Sequence, residues 1–123
     1  MIKSMRMDIE QLSDYCLQKP GAELTFPFGE NILVMKVGGK VFLLCRLDQI
    51  PLSFSVKTDP DWSLELREQF PQITGAYHMN KKHWNSVVCE GLKPELIRTL
   101  IDQSYELVFK SLPKLARAEI KGV

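Results

Sequence analysis

The sequence has no apolar run longer than a few residues, so no stretch of it reads as a helix that crosses a bilayer. Its start, Met1 to Met7, carries Lys3 and Arg6 without an apolar block behind them and does not read as a secretory signal. The expected location is therefore the cytoplasm, and no membrane partner is expected. Cysteine is scarce: Cys16, Cys45 and Cys89 are three, widely spaced, and form no C-x-x-C pair. That excludes a disulfide framework and fits buried thiols in a reducing compartment. Charge of one sign is also missing. The net charge is +1, whereas dedicated DNA-binding domains are usually more basic.

The usual signs of catalysis are absent as well. No glycine-rich turn leads from a strand into a helix, because Gly38-Gly39 stands between two strand-like runs. No carboxylate pair stands out as an acid–base couple. Cys45 and Cys89 sit among apolar neighbours, where a thiol is usually inert. His78, His83 and Cys89 fit no standard zinc spacing. We expect no enzyme, no cofactor and no metal.

What remains is a globular composition, 45% hydrophobic and 25% charged over 123 residues. One domain of this size buries about two-thirds of the surface its unfolded chain exposes. Asp8 to about Lys19 is predicted as a helix, with Asp8 and Gln11 spaced as a capping box. Ala22 to Asn31 is expected to be a loop. Ile32–Val37 and Lys40–Leu47 are predicted strands joined by Gly38-Gly39, a turn needing positive φ twice. An unbroken ladder from that turn places Met35 opposite Phe42, Leu33 opposite Leu44, Val34 opposite Leu43 and Ile32 opposite Cys45. Both faces of the hairpin are then apolar, so a helix, the C-terminal tail or a second subunit must cover the second face.

Leu52 to Lys57 alternates apolar and polar, with Ser53, Ser55 and Lys57 on one side. Asp59-Pro60 opens a helix that Pro71 stops. Ile73–Met79 and Trp84–Cys89 form a second predicted hairpin. Pro94–Lys110 is the longest helix, and a basic one follows from Pro113 to about Lys121. The expectation is an α+β two-layer sandwich: an antiparallel sheet of about five strands, with helices at both chain ends and one between strands three and four.

The run Tyr77-His78-Met79-Asn80-Lys81-Lys82-His83-Trp84-Asn85 is the densest polar and aromatic segment. Lys81, Lys82 and His83 at a hairpin tip can reach phosphates, and Asn85 can hydrogen-bond phosphates or base edges. Arg46 and Lys57 can help from the sheet. Against this stands a plain solvated turn, with His78 and Asn80 shaping it and Tyr77 and Trp84 anchoring it to the core. Trp84 could instead stack on a base. The C-terminal Lys110, Lys114, Arg117 and Lys121 form a further basic stretch, able to meet phosphates or to complement helix dipoles.

These pieces, in order, resemble the MmcQ/YjbR-like family over nearly the whole chain. The matching segments are Cys16-Leu17 to Pro20-Gly21, Phe26-Pro27-Phe28-Gly29, Lys36-Val37-Gly38-Gly39-Lys40, Lys57-Thr58-Asp59-Pro60, Tyr77 to Asn85, Ile101-Asp102-Gln103-Ser104-Tyr105 and Leu112-Pro113-Lys114. The resemblance implies a frataxin-like (CyaY-like) fold and a DNA-binding protein with a double-wing arrangement. It does not bring iron binding with it, because the first helix, with Asp8, Glu10 and Asp14, lacks a dense acidic ridge. Three functional expectations follow. The first is phosphate binding to DNA through Lys81, Lys82, His83 and Asn85 with Arg46 and Lys57. The second is an interaction domain or homodimer using the apolar sheet face. The third is a pocket for a small anion near Tyr77, His78 and His83.

Overall fold

The structure, a computed structural model, describes residues 7–76 and 79–121. Within them the elements run α1 (Ile9–Leu17), β1 (Ala22–Thr25), β2 (Ile32–Val37), β3 (Lys40–Arg46), β4 (Ser53–Lys57), α2 (Pro60–Gln69), β5 (Ile73–Gly75), β6 (Trp84–Val88), α3 (Pro94–Lys110) and α4 (Lys114–Lys121). The strands form one antiparallel sheet in the order β1-β2-β3-β4-β6-β5. This is the expected α+β layering with one strand more. Ala22–Thr25, expected in a loop, pairs with β2 from Ala22 opposite Val37 to Thr25 opposite Val34. Its four residues, Ala22-Glu23-Leu24-Thr25, alternate for too short a stretch to mark a strand and none is fully buried; the free edge of β2 recruits them through backbone bonds.

Local chemistry sets the boundaries. The Asp8 carboxylate accepts from the Gln11 N–H at 2.9 Å, and the Gln11 side-chain oxygen accepts from the Asp8 N–H at 3.0 Å, closing the capping box of α1. The Asp59 carboxylate accepts from Asp61 N–H and Trp62 N–H at the start of α2. Gly38 and Gly39 turn with φ of +57° and +81°. The positive φ of Gly38 favours glycine, and a Cβ there would stand 2.6 Å from Leu112 Cδ1, so the Leu112 side chain would have to shift to admit one.

The hairpin that follows departs from an unbroken ladder. Val37 faces Lys40 and Lys36 faces Val41, but then Met35 faces Leu43, Val34 faces Leu44, Leu33 faces Cys45 and Ile32 faces Arg46. Phe42 is the extra residue of a β-bulge. Its ring packs edge-on against Tyr105 of α3, with centroids 5.3 Å apart. Its carbonyl accepts from the Ser104 hydroxyl at 2.5 Å, and that hydroxyl accepts from Lys57 N–H at 2.9 Å. Ser104, fully buried, thus bridges β3 and β4 just beyond their last pair, Leu43 with Val56.

The core lies on one side of the sheet. Leu33, Met35, Leu43, Cys45, Phe54, Val56 and Val87 point toward Leu12 and Cys16 of α1, Leu66 of α2 and Ile97, Leu100, Ile101 and Tyr105 of α3. α1 and α3 are also tied by Asp102, which accepts from the Tyr15 hydroxyl and pairs with Lys19, each at 2.6 Å. Val34 is fully buried but belongs to the other side, outside this core. The bulge decides that parity. It leaves on the outer face a row in which Val34 and Leu44 grade into Ser55 and Ser86, beside a second row of Ile32, Arg46 and Ser53. The helices contribute their apolar residues to the opposite face. Because Val34 exposes no surface and Leu44 is half-buried, little of the apolar area expected there stays open to a second subunit.

Candidate functional site

Strand alternation splits the segment from Asn80 to Asn85 between the two faces. Asn85 points inward. It shares a row with Met35, Leu43 and Val56, and it is fully buried. Its amide donates to the Thr58 hydroxyl at 2.7 Å and to Ser63 at 3.2 Å, and its carbonyl oxygen accepts from Arg67 Nε at 2.8 Å. The Thr58 and Ser63 hydroxyls bond each other closely, and Ser63 also donates to the Asp59 carbonyl at 3.0 Å. The expectation that Asn85 meets phosphates or bases is corrected here. Its side chain has no surface to offer, because it carries the polar network that α2 builds onto β6.

Arg67 completes that network. Besides Asn85, it donates to the Lys81 carbonyl at 2.5 Å and to the Trp84 carbonyl at 3.4 Å. One guanidinium therefore holds the turn onto α2 through three acceptors. Sequence reasoning missed Arg67, which sits in the last turn of an ordinary amphipathic helix with no local signal. Asn80 shapes the turn by accepting from Lys82 N–H at 3.0 Å through its side chain. Its carbonyl accepts from His83 N–H and Trp84 N–H. His83 is half-buried, and its carbonyl accepts from Thr58 N–H at 2.7 Å. Lys81 and Lys82 are exposed at the tip. Tyr77 and His78, expected as an anchor and a turn residue, lie outside the described residues.

The outer face holds what the network does not use. Trp84, expected to anchor the hairpin in the core, is half-buried and lies outside the helix-side core. Since Asn85 points in, Trp84 must point out, and its register partner is Lys57. Lys57 alternates with Ser55 and Ser53 along β4, so all three share that face. Arg46 stands opposite Ser53. Between these ends runs a cleft of about 380 Å³ lined by Leu44, Arg46, Ser53, Ser55, Met79 and Ser86, among others. Ser53 donates to the Gln49 side chain at 2.9 Å on its rim. Arg46 meets Asp48 at 3.5 Å with both side chains about half exposed, a contact that water and salt weaken. The structure thus brings Arg46 and Lys57 together with the hydroxyls on one face, beside the turn carrying Lys81, Lys82 and His83. The strip from Ser53 to Lys57 is about 13 Å long at the usual strand rise.

Elsewhere the chemistry is quiet. Burial pushes the thiols of Cys16 and Cys45 up to about 12 and that of Cys89 up to about 11, so each stays protonated at neutral pH. Among the described residues no group of three or more His, Cys, Asp or Glu could hold a metal ion. No helix there is long and apolar enough to cross a membrane. Of the C-terminal cations, Lys121 lies 4.9 Å over the Phe109 ring and Arg117 is half-buried, so both help seat α4.

A family model described as YjbR matches residues 17–107. The chain is 40% identical over 107 residues to the uncharacterised protein YbdF of Escherichia coli O157:H7, covering 85% of this chain and 87% of that one. It is 32% identical over 112 residues to the uncharacterised protein YjbR of Escherichia coli strain K12, covering 90% and 95%. Among solved structures it is similar to protein DR2400 of Deinococcus radiodurans, a DUF419 domain. That match has a TM-score of 0.88 and 37% identity over 98% of this chain and 92% of the other. A Pseudomonas syringae protein matches with a TM-score of 0.71 and 26% identity over 83% and 99%.

Proposed function

The chain belongs to the YjbR family, and from that premise we propose that it is a nucleic-acid-binding domain that holds phosphates on the outer face of its sheet. The DNA-binding role implied by the family resemblance is kept, but the contact surface moves. Arg46 and Lys57 on the sheet carry it, with Lys81 and Lys82 on the adjoining turn as auxiliaries, and Asn85 takes no part. The observation that supports the reading is the pairing of two cations with a row of hydroxyls on the face opposite the helix-side core. Guanidinium and ammonium groups neutralise phosphates and release counterions, while serine hydroxyls donate to phosphate oxygens. With a net charge of +1, affinity must come from this local arrangement rather than from an overall basic field.

The test is the salt dependence of oligonucleotide binding. For wild type, log K should fall linearly with log salt. Lys57→Ala and Arg46→Ala should each remove about 0.7–0.9 from the slope, and Lys81→Ala with Lys82→Ala up to about two units. Absence of salt-dependent binding by the wild-type protein at low salt sinks the reading.

A further inference from the structure

We infer that the nucleic acid held on this face is single-stranded, with its bases turned toward the sheet: one stacked on Trp84 and a neighbour seated in the cleft over the row Leu44, Ser55 and Ser86. This rests on the phosphate-binding reading and goes past it by assigning the ligand's strandedness and the residues that meet its bases.

Two independent features carry it. The first is Trp84. A strand tryptophan is ordinarily spent on the core, but here the inward position is taken by Asn85, which Arg67, Thr58 and Ser63 hold fast. Trp84 is left half-buried on the open face, across from Lys57. An aromatic ring beside a cation on an open sheet is what a splayed base and its phosphate need: the ring offers a π-face and the ammonium meets the charge.

The second is the cleft. Its volume of about 380 Å³ lies within the range of small-molecule sites. Leu44 and Met79 give it apolar lining, Ser53, Ser55 and Ser86 put hydroxyls along it, and Arg46 lines it opposite Ser53. A phosphate alone gains nothing from the apolar lining. A flat base with polar edges uses both parts. Ser86 and Trp84 are two residues apart on one face, so the two subsites are about 7 Å apart, as neighbouring splayed bases require. A duplex keeps its bases paired inside, so it could reach only the cations of this surface and leave both Trp84 and the cleft unused.

The experiment compares a labelled thymidine homo-oligomer with a duplex of equal length at one salt concentration. The proteins are wild type, Trp84→Leu, Trp84→Phe and Ser86→Val, each first checked for a native thermal transition. The single strand should bind roughly ten-fold or more tightly than the duplex. Trp84→Leu should lose about ten-fold on the single strand without changing the salt slope, and Trp84→Phe should keep part of that. Ser86→Val, which replaces a cleft hydroxyl by methyl groups, should weaken the single strand alone. Binding should quench tryptophan emission in wild type and not in Trp84→Phe, where Trp62 is the remaining tryptophan. Equal affinity for single strand and duplex, indifferent to Trp84→Leu and Ser86→Val, overturns the inference; phosphate binding then still stands if Arg46→Ala and Lys57→Ala flatten the slope. If neither ligand binds wild type, the functional reading itself falls.

Discussion

Trp84 and Asn85 are neighbours in sequence and face opposite sides of the same strand. On the inner side, Asn85, Thr58, Ser63 and Arg67 bond to one another and to the turn's backbone. On the outer side, Arg46 and the serines line an open cleft, Lys57 and Trp84 pair beside it, and Arg46 makes a weak ion contact with Asp48. Polar groups shut away from water must satisfy each other or cost stability. Polar groups on an open face are free to serve a ligand. The same residue types therefore do structural work on one face and are available for recognition on the other.

The sharpest way to break the comparison is Arg67→Ala. It strands the Asn85 side-chain oxygen and removes a donor from the Lys81 and Trp84 carbonyls. We expect a loss of about 2–4 kcal/mol in urea unfolding. A loss below about 0.5 kcal/mol would mean the network is not holding the turn. Asn85→Leu should cost nearly as much, since it leaves Thr58, Ser63 and Arg67 without their common partner. Next comes Ser104→Ala, which unbridges Lys57 N–H from the Phe42 carbonyl and should cost about 1–3 kcal/mol. If it costs nothing, water replaces the hydroxyl and the bulge needs no bridge.

A pH series sharpens the same contrast. Cys16 and Cys45 stay neutral in the fold up to about 12 because burial disfavours the thiolate, whereas an unfolded thiol ionises near 8.5. Stability from this source is complete below about pH 8.5 and falls as pH rises toward 12, since the unfolded chain loses its protons first. The urea midpoint should drop between pH 8 and 10.5, and Cys16→Ala should flatten that drop. An unchanged slope in the variant would show that the thiol is not the cause. The smallest effect on stability belongs to the outer face: Lys57→Ala should shift unfolding by about 0.5 kcal/mol or less while changing the salt slope of oligonucleotide binding. A large stability loss there would place Lys57 with the structural residues instead.

Much of the scaffold was legible because its signals are local. Asp8 with Gln11, Asp59-Pro60 and Gly38-Gly39 each act within a few residues, and α3 was readable from its apolar stripe over Pro94–Lys110. Less of the site was legible. Arg67 carries no local signal in its helix, and Asn85 falls on the buried side rather than on a ligand-facing one. Both Trp84-x-Ser86-x-Val88 and Asn85-x-Val87-x-Cys89 contain one apolar-in pattern and one polar misfit, so alternation alone does not choose between them. Large aromatics usually go inside, and that prior pointed the wrong way.

The sequence by itself determined the element types other than β1, the turn residues, the antiparallel layering and the family. The tertiary structure decided the parity of β3 and β6. In β3, a bulge at Phe42 turned Leu44 outward because Tyr105 and Ser104 of α3 receive the extra residue. In β6, Asn85 took the inner position because Ser63 and Arg67 of α2, with Thr58 just before it, meet it there. A one-residue change of parity exchanges every side chain between core and surface, and only the partners waiting on each face fix which way it falls.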